Sequence, residues 1–535
     1  MSSSFNIYDF NCDRFNEILQ NGFLSKGSVE KHNRAIYLKG YLTHIDAKSM
    51  LVENDYTDGD YLDDFAAYYV RCHQDYSRRC KRIHFFSISI EENQFLKIVT
   101  GSAENSGKED FQKSYLGFIV VRPLPQAVIG RTVLKTYNDD NGRRNYTCVK
   151  DYSVNLFGIE LTIEKSLAFQ EQDTVIAACA TVSLWCCFHK TAEMFGTPAP
   201  RPAAITRTAN QVVHHSRSFP SNGLVVEQMC DAIRQVGLEP EVFNVKRDKN
   251  PKKFPLVDLI YGYLKMGLPV ILASEIEGIG FHAITLLGFS IQSEHTFPLK
   301  ESAITPTIGS RINKLYAHDD QNGPFSEICI TQNHEENTKY PIVFECAWNQ
   351  LNRKDKITLK PHVIIIPVYN KIRVTFLGIQ KWINVLHEII KVLLDSQKIE
   401  TNNLEWNIYL FTSNELKSSI KEENISQQDK KILLLTQHPR FIWRATLSMR
   451  EKNDDNSYRS EKIVDFLADA TDIPHGFPIY QALWYQEELR SELNDLMMSE
   501  KVGEVLAEIH NQKYLDKYLD KYTILIDFIK KSTSR

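Results

Sequence analysis

A thiol, an imidazole and a carboxylate, each at the edge of an apolar run, are the side chains in this sequence whose types and order could do covalent chemistry. Cys179 stands in FQEQDTVIAACATVSLW, at the predicted start of an apolar helix. There the positive end of the helix dipole and the unpaired N–H groups favour thiolate over thiol. Gln172 and Gln170 lie slightly upstream, where a side-chain amide could join the cysteine N–H in donating to an oxyanion. His282 opens an apolar strand after the Gly-containing turn of GLPVILASEIEGIGFHAITLLGFS, a place that faces it into a cleft. Asp319 ends the aromatic run LYAHD, just before the Asn322-Gly323-Pro324 turn. Taken singly, these are an ordinary buried cysteine, a core histidine and a turn cap. Taken together and in this order, they supply a nucleophile, a base to take its proton, and an acceptor to fix the tautomer of that base. Asn349 in FECAWNQ is a second candidate for the acceptor. Asp320 reads as solvated, and Cys186, two helical turns beyond Cys179, as core.

Other combinations are poorer. Cys72, His73, Cys80 and His84 lack the close pairing of a zinc site. His214 and His215 read as a surface loop. Arg122 and Arg131 flank a proline-rich turn and could clamp an anion, although salt bridges to a neighbouring lobe suit them better. DFLADATDIPHG lacks calcium-loop spacing. Neither GxxxxGK[ST] nor a strand-anchored GxGxxG occurs, so no nucleotide, metal or other cofactor is expected.

The elements that must position these side chains fall into three regions. Residues 1 to about 155 mix helical patterns with strand-like runs such as HFFSISI and YLGFIVV. Residues 156 to 370 run helix, helix, then strands, the order of helices on an antiparallel sheet. Residues 371 to 535 read as a further α+β region whose helical tail carries a doubled YLDK. The whole is therefore α+β. With 535 residues, 43% of them hydrophobic and 24% charged, the chain can bury several cores. A net charge of −4 argues against a chain-wide grip on nucleic acid or on an acidic membrane. Ten dilute cysteines and the absence of an export signal or an 18-residue apolar stretch suggest a soluble, cytoplasmic protein.

The run Gln172…Cys179-Ala-Thr-Val-Ser-Leu, the strand Phe281-His282-Ala283-Ile284-Thr285-Leu286-Leu287-Gly288-Phe289 and Tyr316-Ala317-His318-Asp319 resemble papain-like cysteine peptidases, above all the bacteriocin-leader-processing type. The resemblance covers about 200 residues. It implies a papain-like helix-plus-antiparallel-sheet domain at 156–370, with Cys179 as nucleophile, His282 as base, Asp319 as orienter and Gln172, or else Gln170, as oxyanion donor. The expected activity is hydrolysis of peptide or isopeptide bonds, with a protein or peptide substrate and regulation by the flanking regions or a protein partner. That layout would suit a bacterial protease answering a stress or phage signal. The rival expectations are an inactive scaffold of the same fold that binds a protein partner, and a transglutaminase-like acyltransferase using the same Cys–His pair.

Overall fold

The computed structural model describes residues 4–20, 26–125, 127–137, 143–173, 175–176, 178–211, 217–245, 254–294, 306–333, 338–348, 356–396, 403–453, 457–473, 476–487, 490–491, 494–495 and 519–533. Asn349, His214, His215 and residues 514–518 of the YLDK repeat lie outside them. The chain forms two compact units. One comprises Met1–Lys252, Gly267–Ser290 and Lys314–Tyr369, and the other Lys253–Met266, Ile291–Asn313 and Asn370–Arg535.

The first unit begins with a five-stranded antiparallel sheet. Its strands are β1 (Phe5–Asp9), β2 (Ser49–Tyr56), β3 (Cys80–Phe86), β4 (Tyr115–Val121) and β5 (Ile129–Leu134), adjacent in that order. Every residue of β4 is buried, as its unbroken apolar sequence requires of a strand covered on both faces. Gly117 within it has φ +121°, and a Cβ there would lie 2.1 Å from the Val133 carbonyl oxygen, so only glycine lets β4 and β5 close up. Beyond this sheet come β6 (Arg144–Tyr146) and a hairpin of β7 (Lys150–Leu156) with β8 (Ile159–Ser166).

The remainder of this unit is a barrel with a helix laid against it. Helix Cys179–Phe195 is buried over most of its length, through Trp185, Cys186, Cys187 and Phe188, and ends at Gly196 in the left-handed conformation. Its low charge content is the sequence mark of a helix covered all round. The strands are β9 (Leu238–Asn244), β10 (Val270–Ile276), β11 (Gly280–Ile291), β12 (Ile312–Asp319), β13 (Gly323–Gln332), β14 (Ile342–Cys346) and β15 (Ile357–Tyr369). Each pairs with the next from β10 to β15. β10 also pairs with β15, Ala273 facing Ala283 on one side and Val363 on the other. Six strands therefore close a ring, while β9 and β6 add to β15 and β11. This corrects the expected papain-like arrangement of a helix on an open sheet. Apolar alternation marks the strands, but ring closure is a pairing between β10 and β15, which are remote in sequence.

The second unit carries a four-stranded antiparallel sheet of β16 (Leu404–Thr412), β17 (Phe441–Lys452), β18 (Tyr458–Asp469) and β19 (Ile479–Trp484). Trp443 packs edge-on against Tyr263 and Phe376, and its indole N–H donates to the Val374 carbonyl at 2.7 Å. Buried Arg444 is held by Asp465 and, at 2.8 Å, by Glu423. Among the described residues no helix is long and apolar enough to cross a membrane.

Candidate functional site

Three titratable side chains of the first unit meet at one corner of the barrel. His282 lies near the start of β11, opposite Ser274 of β10, after the turn that Gly278 and Gly280 make with positive φ. Two hydrogen bonds clamp the helix behind it to this strand. The Ser183 hydroxyl donates to the Ala283 carbonyl and the Thr285 hydroxyl to the Ser183 carbonyl, both at 3.0 Å. Asp319 is the last residue of β12, after a register shift that begins at Ala317. Its Oδ1 lies 2.9 Å from His282 Nε2 and accepts the Gln321 N–H at 3.0 Å, while Oδ2 accepts the Trp348 indole N–H at 2.9 Å. The Trp348 ring also stands edge-on to the imidazole, with centroids 5.6 Å apart. Because Asp319 can only accept, Nε2 of His282 carries the proton.

Asp320 completes the corner, its Oδ1 3.7 Å from the same Nε2. The expectation that it is solvated is corrected, since it is 3% exposed and neither carboxylate oxygen has a hydrogen-bond partner among the described residues. Helix Asn33–His44 helps cover this corner. The Tyr37 hydroxyl donates to the Pro324 carbonyl at 2.7 Å, and its ring lies where a Cβ on Gly323 would point, 2.1 Å away. Among the described residues, His282, Asp319 and Asp320 are the group of three or more ligand-type side chains whose donor atoms converge, all within 4.8 Å of one another.

Burial works against charge on all three groups, and their neighbours decide the outcome. For His282 the attraction and hydrogen bond of Asp319, aided by Cys179 and Asp320, overcome burial and hold its pKa well above the ordinary imidazole value. For Asp319 the His282 charge and the bonds from His282, Gln321 and Trp348 outweigh burial and lower the pKa. Asp320 has no such bonds among the described residues. Burial and the adjacent Asp319 charge raise it to about 7, against the pull of His282 and Arg34. The corner is thus an ion pair with a second carboxyl group poised beside it.

The remaining sequence candidates sit as follows. Cys179 is the first residue of its helix and half-buried, and lies near enough to the imidazole to help raise the His282 pKa. It does not belong to the converging group. Gln172 is half-buried in the irregular segment before that helix, and Gln170 is buried, its Nε2 without a partner among the described residues. Between them, the Glu171 carboxylate takes His32 at 3.0 Å and Arg34 at 3.1 Å. Arg122 donates to the Ala127 and Glu171 carbonyls, and Arg131 pairs with Asp58 at 2.9 Å. Cys186 is fully buried. Cys80 and His84 are buried in β3, where His84 bonds Glu53 and Tyr115, and with Cys72 and His73 they form no converging group among the described residues. Sequence reasoning passed over Trp348, although a tryptophan one residue before the alternative acceptor Asn349 was a signal within reach.

These observations correct the functional expectation. The tight cluster is one imidazole with two carboxylates and contains no cysteine, so the expected thiol protease with a Cys-His-Asp triad is set aside, as are the scaffold and acyltransferase variants built on the same fold. No family model matches the chain and no curated protein matches it, so with the barrel closed the likeness to papain-like peptidases is not upheld.

Proposed function

We propose that this protein works through proton transfer at the barrel corner, with His282 as the group that gives and takes the proton and Asp319 as the group that orients it. One observation carries the reading. The buried Asp319 carboxylate spends its acceptor capacity on three donors, Trp348, Gln321 and His282, and so fixes the imidazole in one tautomer and one direction. A carboxylate held this way stabilises the charged ring each time it forms. A reducing, cytoplasmic setting belongs to the same reading and is supported by ten cysteines that are all free.

The test is proton NMR of protein labelled with 15N-histidine. An imidazole N–H bonded to a buried carboxylate resonates far downfield and exchanges slowly. The wild type should show one such signal, assigned by its absence in His282→Gln, and Asp319→Asn should abolish it while the barrel stays folded. A folded wild type without that signal would overturn the reading.

A further inference from the structure

We propose that His282, Asp319 and Asp320 also form a regulatory site for a divalent cation, which takes the place of the Nε2 proton and withdraws the imidazole from proton exchange. What the ion interrupts rests on the proton-transfer reading, whereas its binding does not.

Asp320 carries the case. Its two carboxylate oxygens are buried, lack hydrogen-bond partners among the described residues, and lie against an imidazole already engaged by Asp319. A carboxylate in that position needs either a proton or a cation. The spacing suits an ion. Bonds of roughly 2.0–2.2 Å place neighbouring ligand atoms about 3–3.6 Å apart, and the Nε2-to-carboxylate separations here are 2.9 and 3.7 Å. The surroundings are those that orient metal ligands, since Trp348 and the Gln321 N–H hold Asp319 and the Trp348 ring stands edge-on to the imidazole. One nitrogen and two carboxylates suit Mn²⁺ or Zn²⁺ better than a soft monovalent ion. On binding, the Nε2 lone pair goes to the metal and the Nε2 proton to solvent, so one proton is released from that nitrogen for each ion bound.

The experiment uses the full chain stripped with chelator. Calorimetry with Mn²⁺ at fixed pH should give one site, weakened at least roughly tenfold in Asp320→Asn. One equivalent of Zn²⁺ should erase the downfield His282 signal in the wild type and leave it in Asp320→Asn. Should Asp320→Asn fail to fold, Asp320→Ser takes its place. The inference is overturned if the wild type binds no Mn²⁺, if the variant binds it equally well, or if the signal survives Zn²⁺. The two readings fail separately. A metal-free wild type with no downfield signal sinks proton transfer and leaves the Mn²⁺ comparison to judge the ion, whereas a signal present and untouched by metal sinks the ion alone.

Discussion

Trp348→Phe removes one hydrogen bond from the buried Asp319 and keeps an aromatic ring beside His282. The indole donates at 2.9 Å to a carboxylate oxygen that is fully buried. A hydrogen bond to a charged group contributes about 1.5–3 kcal/mol, and the oxygen left behind has no water to replace it. The smaller ring also leaves space, so the single variant should lose about 2–5 kcal/mol in all. A double-mutant cycle with Asp319→Ala, which leaves no acceptor for the indole, separates these effects, because the lost volume is common to both tryptophan replacements and the hydrogen bond is not. The expected coupling energy is about 1.5–3 kcal/mol. Urea unfolding of the four proteins measures it, and the contribution of the second unit, common to all four, cancels in the cycle. In the same variant the downfield His282 proton should shift without vanishing, because Asp319 keeps its bond to the ring. A coupling below about 0.5 kcal/mol together with an unmoved proton would refute the claim that Trp348 positions this carboxylate.

Three further outcomes are expected. Burial and the neighbouring Asp58 raise the Asp60 pKa to about 6, so the native state holds a proton there that the unfolded chain releases near its ordinary 3.8. Stability from this group therefore falls as pH rises from about 4 to 6, and Asp60→Asn should add about 1–3 kcal/mol at pH 8 and almost nothing at pH 4, as read by unfolding across that range. Gly323→Ala drives a methyl into the Tyr37 ring at the barrel corner and should cost about 1–3 kcal/mol, with Tyr37→Ala partly restoring the loss in the same urea assay. Asp465→Asn strips buried Arg444 of a charge partner in the second unit and should destabilise that unit by about 3–5 kcal/mol, measured by hydrogen exchange of β17 and β18, with the barrel strands unaffected.

The elements that bear the corner were legible because each is written locally. The unbroken apolar run after His282 marks a strand, the Asn-Gly-Pro signal falls within a residue or two of the turn at 320–322 that follows Asp319, and the uncharged run from Cys179 marks a covered helix. Asp320 was misread for a physical reason. Next to Asn322-Gly323-Pro324 a second aspartate looks like turn chemistry open to water, and a helix nearly 300 residues earlier, with Tyr37 seated on Gly323, helps cover that corner.

By itself the sequence determined the helix that opens at Cys179, the strand that carries His282 and the strand that ends at Asp319, because periodicity and turn residues act over a few positions; elsewhere it misled, since FLKIV and KILLL read as strands but are helical, and CKRIH read as a helix but lies in β3. Tertiary structure alone decided that β10 meets β15 and closes a ring, that Trp348 reaches Asp319, and that the converging set is His282 with two carboxylates rather than with a thiol. These outcomes depend on contacts between distant segments and on the burial that they create, and neither leaves a local pattern in the chain.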